Sequence, residues 1–258
     1  MNPGPGQEDL AGQKGWHHDH VLANGVRLHY VEAGDPDGEL VLLLHGFPEC
    51  WYSWRLQIGL LAERGRRVVA ADLRGFGRSD KPAGVEAYTL ETLAADVVAC
   101  VDRLNRGRPA AAIIGHDWGG SIAWVVGSLH PGTMRRLVVL NAPPAYALRR
   151  AWRTPRQALK SWYIFFFQIP RLPEVLLRQG GFRFVDQSLA PARRRNPLGV
   201  TAEDVAYERR EMARPAALTS GLNYYRALVG LPPADLLRLE QPVRVPTLLI
   251  WGDRDPYA

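Results

Sequence analysis

The stretch that constrains the fold most is residues 113–120, which read Ile-Ile-Gly-His-Asp-Trp-Gly-Gly. The apolar run at 110–114 predicts a buried strand, and the apolar run at 121–129 predicts a helix. The Gly-x-Asp-x-Gly between them is typical of a nucleophile elbow, a sharp strand-to-helix turn, with aspartate where serine usually stands. We expect Asp117 to adopt a positive φ, because the chain must turn within one residue. The residues on either side are glycines, and a side chain at either position would collide with the backbone.

Asp117 has two interpretations on this motif alone. An aspartate raised above a sheet, at a helix N-terminus whose amides favour negative charge, can attack a carbon atom and form an ester. The same residue can also be an ordinary cap in a glycine-rich turn. Motifs elsewhere in the chain distinguish the two.

Strands and helices alternate through the first half of the chain. Strands are predicted at 16–22, 26–32, 41–44, 67–71, 110–114 and 136–140, and helices at 51–63, 90–104 and 121–129. This alternation predicts an α/β fold with a doubly wound, mostly parallel sheet. Such sheets place their sites at the carboxyl ends of the strands, which is where residues 45–48, residues 72–80 and Asp117 fall.

The second half of the chain has a different pattern. Residues 149–230 are helical in composition and are interrupted by prolines, so we predict a helical insertion there. Residues 246–251 return to the pattern of a buried strand, and Gly-Asp-Arg-Asp follows at 252–255.

Composition excludes several classes of protein. The chain has 258 residues with 47% hydrophobic and 22% charged residues, which suits one large domain or a domain with an insertion. The net charge of +6 comes from arginine clusters. No nucleic-acid motif accompanies them, so we expect a solvated basic face with neither nucleic acid nor a membrane surface as partner. Two cysteines and a polar N-terminus without a signal-peptide core predict a cytoplasmic protein, and no pattern for a metal or other cofactor is present.

Five motifs, taken in order, resemble the epoxide hydrolase branch of the α/β-hydrolase family. They are His-Gly-Phe-Pro-Glu at 45–49 with Trp-Tyr-Ser-Trp-Arg at 51–55, Asp-Leu-Arg-Gly-Phe-Gly-Arg-Ser at 72–79, Gly-His-Asp-Trp-Gly-Gly at 115–120, Leu-Asn-Tyr-Tyr-Arg at 222–226 and Trp-Gly-Asp-Arg-Asp at 251–255. The resemblance implies an α/β-hydrolase fold with a helical cap inserted after the sixth strand. We then expect a disordered tail at 1–15, a hydrolase core at 16–141, the cap at 142–240, and a core strand with an acid loop at 241–258.

The resemblance also implies roles for single residues. Asp117 would attack an epoxide carbon, while Tyr163 and Tyr225 would reach down from the cap and donate hydrogen bonds to the ring oxygen. The amides of Phe47 and Trp118 would form the oxyanion hole, with a cis bond between Phe47 and Pro48, and both residues would contact the substrate. The tyrosines can also be read as core residues, and Tyr224 and Tyr146 are rivals for their positions.

The family pattern also includes an acid and a general base. Asp255 would orient a general-base histidine, although it can also be read as a turn residue. In the family that histidine follows the acid after a further strand, and none of the seven histidines of this sequence stands there: His17, His18, His20, His29, His45, His116 and His130. His116 is expected to point away from the site, because side chains alternate along a strand. We therefore expect the final strand and helix to be missing from this sequence, and the sequence to be part of a longer enzyme or an incomplete product.

The predicted function is the opening of a small apolar epoxide to a diol, with water as the second substrate and an Asp117 ester as intermediate. A haloalkane dehalogenase also uses an aspartate followed by Trp, but that branch is expected to carry asparagine where Phe47 stands. A non-catalytic protein that binds apolar ligands is the alternative from another class. A serine esterase is excluded by the aspartate at the elbow.

Overall fold

The computed structural model describes residues 15–144, 147, 150, 154–197, 199–232, 238–239 and 241–255. The predicted tail up to residue 14 and the rival tyrosine Tyr146 lie outside these ranges. So does part of the predicted cap.

Strands of the described chain form one sheet. They are β1 (His17–Ala23), β2 (Val26–Gly34), β3 (Glu39–Leu44), β4 (Arg66–Ala71), β5 (Ala112–His116), β6 (Leu137–Leu140) and β7 (Thr247–Ile250). Their order in the sheet is β1-β2-β4-β3-β5-β6-β7. The pairs β1–β2 and β2–β4 are antiparallel, and the remaining pairs are parallel. The α/β prediction with a mostly parallel sheet is therefore confirmed.

Helices cover the sheet and continue between β6 and β7. They are α1 (Arg55–Ala62), α2 (Leu90–Leu104), α3 (Trp118–Leu129), α4 (Pro155–Lys160), α5 (Trp162–Phe166), α6 (Leu172–Leu177), α7 (Gln179–Arg195), α8 (Ala202–Met212) and α9 (Ala217–Val229). Short 3-10 helices occur at Trp51–Trp54, Glu86–Tyr88 and Pro131–Thr133. Helix α7 is broken near its start, where residues 180–182 have positive φ. None of the helices in the described ranges is long and apolar enough to cross a membrane.

The apolar run of β3 explains why the sheet is covered on both faces. Leu42 and Leu44 are fully buried in one hydrophobic cluster, together with Ile122 of α3. Leu43, which points the opposite way, is fully buried in a second cluster with Ile58 of α1. Alternate side chains of one strand thus enter two cores, which is why the sequence shows a continuous apolar run rather than an alternating one.

Helices α4 to α9 lie in the chain between β6 and β7, and we call them the helical segment. The segment is attached above the carboxyl ends of the strands, where the Tyr224 hydroxyl of α9 donates to the Arg74 carbonyl at 2.6 Å. At a second contact, Arg55 of α1 forms a 2.6 Å ion pair with Asp204 of α8. The helical insertion predicted after the sixth strand is present at that place.

Candidate active site

Asp117 occupies a strained turn between β5 and α3. Its φ is 50° and its ψ is −118°, so the predicted positive φ is confirmed. Both flanking glycines are required by close approach. A Cβ at Gly115 would lie 2.3 Å from the Gly119 carbonyl oxygen, and a Cβ at Gly119 would lie 2.3 Å from the Leu44 carbonyl oxygen. The sharp turn therefore depends on glycine at both positions, as the sequence pattern predicted.

Two backbone amides converge on the Asp117 carboxylate. The Phe47 amide donates to Oδ2 at 2.9 Å, and the Trp118 amide is close enough to lower the pKa of this carboxyl group. The Phe47–Pro48 bond is cis, as predicted. An oxyanion hole requires donors arranged in this way around one point, and both donors are main-chain groups held by the loop after β3 and by the start of α3.

The charge of Asp117 is set by opposing effects. Burial raises the pKa of its carboxyl group, while the positive charge of His116 and the amide of Phe47 act in the opposite direction. Burial is the larger effect, so the pKa of the carboxyl group lies above its ordinary value, while His116 and the amide hydrogen bond favour the ionised form.

His116 contradicts the expectation that it points away from the site. It lines the same cavity as Asp117, and its Nδ1 lies 3.2 Å from Glu49 Oε2. The reason is that strand alternation ends at the elbow, where the positive φ of Asp117 turns the backbone. Burial lowers the pKa of His116, but the carboxylates of Glu49, Asp117 and Asp255 together outweigh burial and raise this pKa to about 9, with Glu49 contributing most. The same pair lowers the pKa of Glu49 to about 2, against the effect of burial.

All six predicted site residues line one cavity of about 1290 Å³: Phe47, Asp117, Trp118, Tyr163, Tyr225 and Asp255. The helical segment supplies much of the remaining wall with apolar side chains, which include Ile164, Phe166, Phe167, Leu177 and Phe184. A mostly apolar cavity with a few polar groups is the usual form of a small-molecule site.

Tyr225 and its neighbour Tyr224 have different environments. The Tyr225 ring lies 5.0 Å from that of Trp118 and 5.8 Å from that of Tyr163, centroid to centroid, at the cavity wall. Tyr224 is fully buried, and its hydroxyl is bound to the Arg74 carbonyl. Of these two adjacent tyrosines, Tyr225 therefore faces the cavity and Tyr224 belongs to the core.

Asp255 is held at the cavity by a residue that the sequence patterns did not single out. The side-chain amide of Asn141 donates to Asp255 Oδ2 at 2.5 Å, and Asn141 has a φ of 48° directly after β6. Glu49 was also missed as a residue that lines the cavity, although it lies within the His-Gly-Phe-Pro-Glu motif. Glu49 and Asn141 both follow the carboxyl end of a parallel strand, and this sequence feature, which located Asp117, could have identified them as well.

A family model described as the alpha/beta hydrolase fold matches residues 39–258. The chain belongs to the α/β-hydrolase family. An AB hydrolase superfamily protein of Bacillus subtilis (strain 168) is 39% identical over 92% of this chain and 81% of its own length. Epoxide hydrolase 4 of Mus musculus is 40% identical over 92% of this chain and 65% of its own length.

Solved structures agree with these relatives. A mutant of an epoxide hydrolase from Bacillus megaterium has a TM-score of 0.81 and 30% identity, with 93% of this chain and 84% of that one covered. An epoxide hydrolase from Vigna radiata has a TM-score of 0.75 and 35% identity, covering 93% of this chain and 80% of that one. Within the family, the chain is an epoxide hydrolase-like α/β hydrolase of the epoxide hydrolase branch.

Proposed function

We propose that this chain opens an apolar epoxide through a covalent ester on Asp117. The observation that carries the proposal is the meeting of six residues, predicted from motifs far apart in the sequence, around one apolar cavity. The names of the relatives support the same substrate class. The helical segment acts as the cap of this site, because it supplies Tyr163, Tyr225 and the apolar wall.

Ring opening follows from the positions of these groups. A carboxylate oxygen of Asp117 attacks an epoxide carbon, a new C–O bond forms, and the ring C–O bond to that carbon breaks. Its electrons pass to the ring oxygen, which takes a proton from Tyr163 or Tyr225 and becomes a hydroxyl. A poor leaving group of this kind requires a donor as its charge develops, and this requirement gives both tyrosines a chemical role.

Ester hydrolysis is the second proposed step. Water attacks the ester carbonyl carbon, and the amides of Phe47 and Trp118 stabilise the oxyanion that forms. The tetrahedral intermediate collapses, the departing alkoxide takes up the proton that the base removed from the water and leaves as the diol, and the remaining carboxyl proton restores the tyrosine hydroxyl, so that Asp117 is again a carboxylate. A base must take a proton from the water, and the role proposed for Asp255 is to orient such a base.

His116 is a poor base for this step at neutral pH. Of the seven histidines, all of which lie in the described ranges, it alone lines the cavity. Its pKa is raised to about 9, so the imidazole is already protonated at pH 7 and cannot accept another proton. We therefore propose that a polypeptide of these 258 residues forms the ester readily and hydrolyses it slowly.

A haloalkane dehalogenase is the nearest rival, and the environment of Phe47 argues against it. This ring packs on Phe76, Phe184 and Tyr225, so the position offers no side-chain donor for a halide. Single-turnover consumption of an aryl epoxide by the wild type and by Asp117→Asn tests the proposal, with a bromoalkane as parallel substrate. Epoxide consumption that requires Asp117, without bromide release, supports it. Bromide release identifies the dehalogenase, and epoxide binding without consumption identifies a binding protein.

A further inference from the structure

Six large apolar side chains are exposed within fifteen residues of the helical segment. They form what we call the apolar stripe: Trp162, Phe165, Ile169, Leu172, Val175 and Leu176. Single exposed apolar residues are normal on protein surfaces, but clusters of them mark interaction sites. The stripe recurs every three to four residues along α5 and α6, and its side chains remain exposed although other residues of the same helices are buried, Ile164 among them.

The stripe is continuous with the cavity of the candidate active site. Trp162 lines that cavity and is nevertheless 63% exposed, so its ring connects the cavity wall with the outer surface. The neighbouring Phe166 also lines the cavity, with its ring 6.0 Å from that of Trp162. The apolar wall of the cavity and the apolar stripe therefore share the Trp162 side chain.

Basic residues outnumber acidic ones in the part of the chain that carries the stripe. Residues 159–195 contain seven basic residues and two acidic ones, Glu174 and Asp186. Both acidic side chains are paired with arginines, Glu174 with Arg226 and Asp186 with Arg209. Arg171 and Arg178 are exposed at the two ends of α6. The surface thus combines apolar side chains with basic ones that face solvent.

We propose that the apolar stripe docks the protein on an anionic lipid surface. Helices that lie in a membrane interface bury an apolar face to the depth of the headgroups while basic side chains contact anionic lipids, and Trp suits the boundary. A second copy of this chain is the less favourable occupant, because a symmetric contact through the stripe would bring two basic surfaces together. The sequence alone favoured a solvated basic face, since it does not show that apolar side chains of the same segment are exposed.

Vesicle sedimentation with the full chain tests this proposal. The probes are vesicles of phosphatidylcholine alone and of phosphatidylcholine with about one third phosphatidylglycerol. The wild type is expected to bind the anionic vesicles preferentially, with binding that weakens as salt is added. Phe165→Glu and Val175→Glu should each weaken binding by about tenfold or more. Arg171→Gln and Arg178→Gln should each weaken it about fivefold.

The controls separate docking from folding and from catalysis. Phe165 and Val175 are each 59% exposed, and Leu60 on α1 is 58% exposed, so Leu60→Glu is a matched substitution away from the stripe. Leu60→Glu and Asp117→Asn should bind vesicles like the wild type, and circular dichroism should show folded protein for every variant. Equal vesicle binding by Phe165→Glu and the wild type would overturn the proposal. So would a dimer in solution that Phe165→Glu converts to monomer, because a second copy would then be the occupant.

Discussion

Replacing Glu49 by Gln should remove the pH dependence that the His116–Glu49 pair gives to stability. The two side chains are 3.2 Å apart at the cavity wall. The pKa of His116 is raised from 6.5 to about 9, so its contribution is complete below about pH 6.5 and is lost as the pH rises through about 9. The pKa of Glu49 is lowered to about 2, so its contribution is present above about pH 4.5 and is lost as the pH falls toward 2.

The size of the effect on stability follows from the pKa shift of His116 and from the exposed fraction of its side chain. A pKa shift of one unit corresponds to about 1.4 kcal/mol. For a fully buried imidazole, a pKa raised from 6.5 to about 9 would therefore add roughly 3 kcal/mol to the free energy of unfolding. The His116 side chain is 37% exposed, and solvent in the cavity screens the pair. We therefore expect the free energy of unfolding to fall by roughly 1–1.5 kcal/mol between about pH 6 and pH 9.5.

Urea denaturation across this pH range measures the effect in the wild type, Glu49→Gln and Glu63→Gln. Glu63 is an exposed carboxylate at the end of α1 and serves as the matched control. The wild type and Glu63→Gln should lose stability in parallel, while Glu49→Gln should start lower and stay nearly flat. If the curves of the wild type and Glu49→Gln are parallel, the pair does not set the charge of His116 and the reasoning is refuted.

Three further outcomes test the site and the elbow. Tyr225→Phe should slow ester formation by about 10- to 1000-fold in rapid-quench assays. The neighbouring Tyr224→Phe should leave this rate unchanged. It should lower the free energy of unfolding by about 1–3 kcal/mol in urea denaturation, because a buried carbonyl loses its hydrogen-bond donor. Equal rates of ester formation in the two variants would contradict the role of Tyr225. Gly119→Ala should cost several kcal/mol or prevent folding, as its Cβ would meet backbone, whereas Gly132→Ala, with open space around it, should be nearly neutral by thermal melting. Raising the pH above about 9 should shorten the lifetime of the ester, because His116 becomes neutral and able to accept a proton; a pH-independent lifetime measured by mass spectrometry would contradict this.

Much of the fold was predictable because its signals are local. The change from a continuous apolar run to a helical period fixed β5, the elbow and α3, and the glycines at 115 and 119 marked the turn between them. The strand ends then gave the position of the site without any knowledge of long-range contacts. Helix α3 begins at Trp118, three residues before the predicted start, because the turn at Asp117 leads directly into it.

The parts that were missed depend on contacts across the sheet. Glu49 contacts His116, which is 67 residues away in the sequence, and Asn141 contacts Asp255, which is 114 residues away. These contacts exist because β3 lies beside β5 and β6 lies beside β7, an order that no local pattern contains. The orientation of His116 was predicted wrongly for a related reason, since strand alternation does not continue through a residue with positive φ.

The measurement that tests the central claim most directly is intact mass spectrometry of the chain after an aryl epoxide is added, followed by peptide mapping. We predict a lasting mass increase equal to one substrate molecule, located on Asp117 and absent in Asp117→Asn. An adduct on another residue would contradict the assignment of the nucleophile. Sustained production of diol with no detectable adduct would mean that another group acts as the base and that the proposed slow hydrolysis of the ester is wrong.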